Sequence, residues 1–285
     1  MLGLPWMQAR ACLIDPLGPQ FLYSRMQRPC YPLALIASLF LLAVTALAAA
    51  TEPVSVAARS LPDARLLRNC AFISVDVQEA PPRSYLTEET VPKLWKSMGI
   101  TAPDVNAATD YMYDVAFPNA ARVADACRDA GLPMIFIHWG SLFRDGMDLD
   151  PATRAEFIGQ HGLDYSKWGH SLGDPYARPA SFFKIRPGEY VIPKTAQDAF
   201  TSSNLLYVLK NLGVETIIFI GGHTGACLGR TADSAKKNGF RMICVDDATF
   251  DARQSTRRTY IDQTAYDAVL TTAELEQWLR SAPAR

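Results

Sequence analysis

The chain lacks an excess of either charge. Its 28 Lys and Arg face 29 Asp and Glu, for a formal net charge of −1. A nucleic-acid binder normally carries a basic excess, so no nucleic-acid partner is expected. Cysteine is sparse: 6 in 285 residues, too few and too scattered for a small fold stapled by disulfides. Histidine is rarer still, with 4 residues: His138, His161, His170 and His223. There is no internal repeat and no low-complexity tract. With 49% hydrophobic and 20% charged residues, the composition is that of an ordinary globular protein, which excludes disordered and collagen-like chains. The length suits one large domain or two small ones.

One long apolar run is present, from Leu33 to Ala50. It carries no charge, follows Arg25 and Arg28, and ends in Ala48-Ala49-Ala50. A positive flank, an apolar stretch and a small-residue exit predict a secretory signal peptide over 1–50 and an exported protein, periplasmic or secreted. Met26 is an alternative start, because the stretch before it is long for a signal's leading region. An uncleaved membrane anchor is the competing reading of the same run. Residues 51–69 read as a linker and 70–285 as one domain.

Beyond the linker, short apolar runs alternate with helical stretches. Cys70–Asp76, Met134–His138, Tyr190–Ile192, Thr216–Ile220, Met242–Val245 and Ala268–Leu270 read as strands. Most are continuously apolar, as strands buried on both faces are. Helices are expected over Phe117–Ala130, Ser202–Leu212 and Cys227–Asn238, each followed by Gly, and after the capping box Thr271-Thr-Ala-Glu274. Repeated βα units predict an α/β three-layer sandwich around a central, mostly parallel six-stranded sheet. Gly140–Ile185, rich in Gly, Asp and Pro, reads as excursions at one sheet edge.

In open parallel sheets the functional cleft lies beyond the carboxyl ends of the strands. That rule selects Asp76, Lys194 and the turn Gly221-Gly-His-Thr-Gly-Ala-Cys227. Cys227 begins a helix, where unpaired N–H groups and the helix dipole favour a thiolate of lowered pKa. A carboxylate nearby can take its proton, and a Gly-rich turn can aim N–H groups at an oxyanion. Taken singly, each residue also fits a bland role: a packed Cys, a strand-end Asp cap, a solvated Lys.

These motifs resemble the isochorismatase-like cysteine hydrolases, whose members include nicotinamidases, N-carbamoylsarcosine amidohydrolases, and biuret and ureidoacrylate hydrolases. The resemblance rests on Asp76-Val-Gln78, Lys194-Thr-Ala-Gln-Asp198-Ala-Phe200, Gly221-Gly-His-Thr224-Gly-Ala-Cys227-Leu-Gly-Arg-Thr231-Ala232 and Asp247-Ala248. It covers about residues 70 to 280. It implies Asp76 as general base, Lys194 as its cationic partner and Cys227 as nucleophile. It also implies a cis peptide between Gly222 and His223 and an oxyanion hole from the backbone N–H groups of His223 and Cys227. Two departures stand out. Leu228 replaces the usual Val, and Glu79-Ala80-Pro81 follows the first motif where an aromatic is common.

The function expected is hydrolysis of a small amide or ureido C–N bond through a Cys thioester. A vinyl-ether hydrolase of the isochorismate branch is the alternative, disfavoured by Cys227; a non-catalytic binding protein on the same fold is the other. Gln78, His138, Trp139, Trp168, Phe182 and Phe250 are candidate substrate contacts. No cofactor and no metal are expected, since the Asp and His cluster of metal-holding relatives has no counterpart here. The resemblance further implies a homo-oligomer.

Overall fold

A computed structural model describes residues 61–80, 82–143, 145–161 and 174–281. The apolar run read as a signal peptide, the alternative start and Trp168 lie outside the described residues. Residues 57–285 form one unit.

Six strands form a single sheet: β1 (Cys70–Val75), β2 (Met134–Trp139), β3 (Tyr190–Lys194), β4 (Thr216–Gly221), β5 (Arg241–Thr249) and β6 (Ala268–Leu270). Their order is β3-β2-β1-β4-β5-β6, and every pairing is parallel. The expectation of a mostly parallel sheet is thus met by a wholly parallel one. β1 and β4 are fully buried along their length, which accounts for their unbroken apolar sequences.

The helices among the described residues are α1 (Lys93–Ser97), α2 (Ala102–Tyr111), α3 (Phe117–Asp129), α4 (Pro151–His161), α5 (Ala199–Ser202), α6 (Leu205–Asn211), α7 (Cys227–Lys237), α8 (Gln254–Thr264) and α9 (Thr272–Arg280). Side chains alternate across a strand, so the sheet carries two cores. On one face Phe72, Phe136, Ile218 and Ile243 pack with Val123 of α3 and Leu275 and Trp278 of α9. On the other, Ile73, Val75, Ile137 and Phe219 pack with Leu205 and Leu209 of α6 and Leu228 and Ala232 of α7. Helices over both faces make the three layers.

Three boundaries differ from the sequence reading. Residues 61–69 are not a free linker: Leu67 is buried in the first core, and the Trp278 indole Nε1 donates to the Pro62 carbonyl at 2.8 Å. The helix expected over Ser202–Leu212 is α6, which starts three residues later, and a separate short helix, α5, precedes it. Asp198 accepts from Phe200 N–H at 2.9 Å, and Ser203 Oγ accepts from Leu205 N–H at 3.2 Å, each taking a helix-start donor. Helix α2, unread from the sequence, opens on a Thr101–Asp104 capping box and runs through a π-helical turn, Met112–Ala116, into α3. By contrast, the Thr271–Glu274 box opens α9 as its sequence indicates.

Candidate active site

With strand order β3-β2-β1-β4-β5-β6, chain connections leave the sheet in opposite directions from β1 and β4. The carboxyl ends of those neighbours therefore open a crevice, the usual place for a ligand in such sheets. Asp76 directly follows β1, and the turn to Cys227 directly follows β4.

Asp76 leaves its strand in the left-handed region, at φ 51°, a conformation Asp tolerates better than most residues. Its N–H is fixed to the Ile137 carbonyl at 2.9 Å. Lys194, the last residue of β3, is completely buried. Its Nζ lies 2.7 Å from Asp76 Oδ2 and donates to the Ala196 carbonyl at 3.1 Å. The other carboxylate oxygen, Asp76 Oδ1, is buried with no hydrogen-bond partner among the described residues. The Cys227 sulfur, partly buried at the start of α7, interacts with both Asp76 and Lys194. Burial works against the Lys194 ammonium, but Asp76 and Cys227 outweigh it and hold its pKa above the ordinary lysine value.

The same contacts correct the expected thiolate. Burial first, and the Asp76 charge second, push the Cys227 pKa up to about 12, against the opposing pull of Lys194. At this helix start, desolvation and the like charge beside the sulfur dominate. The resting group is a neutral thiol next to a carboxylate.

The turn is locked from several sides. The Gly222–His223 peptide is cis. Gly221 has φ 106°, and a Cβ there would lie 2.0 Å from the Val75 carbonyl oxygen. Asp251, buried and unread from the sequence, accepts from Thr224 Oγ1 at 2.8 Å and Gly225 N–H at 2.7 Å. Its only sequence signal is its place just past β5. The Leu228 and Ala226 N–H groups both donate to the His223 carbonyl. Among the described residues no hydrogen bond is made by the N–H of His223 or of Cys227. Two donors therefore stand free beside the sulfur.

Asp76, Cys227 and His223 border a cleft of about 580 Å3, walled by Trp95, Trp139, Tyr176 and Phe250. Trp139 and Phe250, two of the candidate contacts, border this cleft. Gln78 borders the cleft too, but its amide is committed elsewhere. Nε2 donates to the carbonyls of Trp139 (3.1 Å) and Tyr176 (2.7 Å), and Oε1 accepts from Trp139 N–H (2.8 Å). It clamps the wall rather than offering a free polar group. His138 is corrected: it is 5% exposed and sits behind the wall, where burial lowers its pKa. Phe182 is corrected as well. It packs at a tilt against Phe183 and Phe117 and lines a neighbouring apolar hollow instead. Lys184, ten residues before Lys194 and a second lysine on the approach to β3, is exposed and lies in the αL region. Among the described residues no group of three or more His, Cys, Asp or Glu side chains is placed to hold a metal ion.

The chain is similar to a ureidoacrylate amidohydrolase of Variovorax paradoxus, at 24% identity over 151 residues, covering 47% of this chain and 55% of that protein. The match spans about half of that relative's length. A maleamate amidohydrolase of Pseudomonas putida is 30% identical over 152 residues, covering 49% of this chain and 70% of its own length. Among solved structures, a cysteine hydrolase from Pseudomonas syringae pv. phaseolicola superposes with a TM-score of 0.55 at 18% identity, covering 76% of this chain and 95% of that one. An isochorismatase family protein from Burkholderia thailandensis does so with a TM-score of 0.52 at 22% identity, covering 75% and 96%. At these identities the structures speak for the fold alone. Residues 102–276 match the family description "Isochorismatase domain". That span contains Lys194, Cys227 and most of the sheet that carries Asp76 to them, and by it the chain belongs to the isochorismatase domain family.

Proposed function

We propose that the protein is an amidohydrolase that cleaves a small amide or ureido C–N bond with Cys227 as nucleophile. One observation carries the reading: the Asp76 carboxylate, the Lys194 ammonium and the Cys227 thiol meet at a cleft beside two unoccupied backbone donors. The amidohydrolase names of the two sequence relatives agree with it.

The chemistry follows from the protonation states. A neutral thiol attacks poorly, so its proton must leave as the C–S bond forms. Asp76 is placed to take that proton as general base. Oxyanion charge then develops on the former carbonyl oxygen, where the His223 and Cys227 N–H groups can receive it. Asp76 returns the proton to the nitrogen, the C–N bond breaks, and ammonia or an amine departs from a thioester. Water attacks that thioester as Asp76 takes a water proton, and the same proton ends on the departing sulfur. Acid and amine are released, and the thiol is restored. Lys194 remains protonated throughout; it holds Asp76 in place and offsets the transient negative charge on sulfur.

Ammonia release from a panel of small amides and ureides tests the proposal. Cys227→Ala should abolish it while leaving the circular dichroism spectrum unchanged. Denaturing mass spectrometry during turnover should find an acyl adduct on Cys227. Turnover by Cys227→Ala near the wild-type rate would reject the assignment.

Two further parts of the reading are separate proposals. Export follows from the Leu33–Ala50 run and is tested by fractionating cells expressing the full chain. Homo-oligomerisation is tested by light scattering in solution.

A further inference from the structure

β5 does not run straight past the end of β4. Phe219 of β4 pairs with Cys244 and Gly221 with Thr249, so two steps along β4 face five along β5. The extra residues bow out as a bulge, a device that re-aims a strand end and is common beside functional sites. What this bulge delivers is Phe250. Its N–H donates to the Gly221 carbonyl at 3.0 Å, and its carbonyl accepts from Thr224 N–H at 3.1 Å. The Phe250 backbone thus holds Gly222 and His223 between two fixed points. Its ring fills the space beside Gly222, where a Cβ would lie 2.5 Å from it. Asp251, the acceptor for Thr224 and Gly225, follows directly.

The bulge is gripped by a side chain from another element. Arg257, in the first turn of α8, is 8% exposed. Its Nη1 lies 2.6 Å from the Asp246 carbonyl oxygen, 2.6 Å from Asp246 Oδ1 and 2.8 Å from Thr249 Oγ1. Asp246 is within the bulge and Thr249 closes it. The Tyr111 ring faces the guanidinium at 4.9 Å. The Arg257 carbonyl accepts from Thr224 Oγ1 at 3.3 Å, so this residue touches the bulge through its side chain and the turn through its backbone. It does not border the cleft. We infer that Arg257 is a positioning residue for the turn that carries the nucleophile. Its guanidinium holds the bulge in the shape that brings Phe250 and Asp251 to Gly221–Gly225, and thereby sets the His223 and Cys227 N–H groups. A guanidinium suits the task because its donors are fixed in one rigid plane. Asp246 keeps Arg258 at 3.0 Å on its other oxygen, so loss of Arg257 does not strip that carboxylate of its partners. The expected effect on turnover rests on the amidohydrolase reading, but the coupling of bulge to turn is measured without turnover.

Arg257→Met, which keeps the length and loses the donors, is compared with Arg257→Lys and the wild type at a temperature where urea curves show each to be fully folded. Ammonia release is followed from the fastest of benzamide, biuret and N-carbamoylglycine. In Arg257→Met kcat should fall by about ten- to a hundredfold, the cost of a small displacement caused from outside the reacting centre. KM should stay within about threefold of wild type, the mark of an interaction needed only in the transition state. Arg257→Lys should fall between. Hydrogen–deuterium exchange reports local opening. It should quicken in the peptides spanning 221–226 and 246–251 of Arg257→Met, and not in those of β1 and α9. Thr249→Val removes one bulge acceptor and keeps the ion pair; it should give the same pattern at smaller amplitude, and it decides the matter if Arg257→Met does not fold. Exchange of the turn at the wild-type rate, or an unchanged kcat where the wild type is active, would mean that Arg257 only fastens α8, and overturns the inference. Faster exchange of the turn with no ammonia released by the wild type upholds the coupling of bulge to turn and counts against the amidohydrolase reading instead.

Discussion

Lys194 Nζ reaches Asp76 Oδ2 at 2.7 Å although the strands that carry them are not neighbours: β2 lies between β3 and β1. Adjacent strands are about 4.8 Å apart, so only a long side chain can cross the intervening strand end. Lys194 does so while completely buried, and its charge is tolerated there because the carboxylate is at its tip. Removing one partner of such a pair leaves an uncompensated charge, at a cost of about 3–5 kcal/mol. Lys194→Met should therefore lower stability in urea by that order and reduce turnover by at least about a thousandfold, equivalent to roughly 4 kcal/mol of lost transition-state stabilisation. Denaturation curves and kcat on the same preparation check both.

Replacing Asp76 should separate thiol reactivity from catalysis. The Asp76 charge raises the Cys227 pKa and Lys194 lowers it. Asp76→Asn removes the first influence and keeps the second, so the thiol should ionise at lower pH. Alkylation of the Cys227 peptide by iodoacetamide at pH 8 should become faster, even as ammonia release collapses. If alkylation slows or is unchanged, the carboxylate does not hold the thiol in its neutral form.

The sequence shows a good deal of this and misses the rest for definable reasons. The strands of the sheet stand out because burial on both faces leaves little room for polar residues, and the strand-end rule then finds Asp76, Lys194 and the Cys227 turn. What it cannot supply is environment. The protonation state of Cys227 depends on desolvation and on a neighbour remote in sequence. Gln78 looks like a free recognition amide until its three bonds to the Trp139 and Tyr176 backbones are known. His138 sits near a strand end in sequence and Phe182 in the Gly140–Ile185 excursion, yet one is buried and does not border the cleft and the other lines a different hollow. Asp251 carries no periodicity or motif, and its role exists only because Thr224 and Gly225 fold back onto it.

That fold-back yields a graded prediction. Asp251→Ala leaves the Gly225 N–H without its acceptor and the buried Thr224 hydroxyl with only the Arg257 carbonyl at 3.3 Å, a loss of about 1–3 kcal/mol for the unsatisfied group. Asp251→Asn retains one carbonyl oxygen and should recover part of the stability. Because the turn sets the His223 and Cys227 N–H groups, kcat should fall in the Ala variant more than KM rises, with partial rescue in Asn. Equal defects in the two variants would mean that the charge, rather than the acceptor, is what the turn needs.

Alkaline pH should unfold the protein earlier than its surface composition suggests. Cys227 is raised from 9.0 to about 12 by burial and Asp76. Burial likewise raises Cys127, Cys244 and Tyr266, and Lys194 is held above its ordinary 10.5 by Asp76 and Cys227 against burial. In each case the folded state keeps its proton to a higher pH than the unfolded chain does. The stabilisation from these groups is therefore complete below about pH 9, where both states are protonated. It declines as the unfolded thiols ionise, and further above about pH 10 as phenols and the lysine follow. Urea midpoints under reducing conditions should be level between pH 7 and 8.5 and then fall steadily to pH 11. Cys244→Ser should leave that slope shallower, because one buried group that resists ionisation has been removed. A midpoint that stays level through pH 11 would mean that these groups ionise within the folded protein, and that the burial assigned to them is wrong.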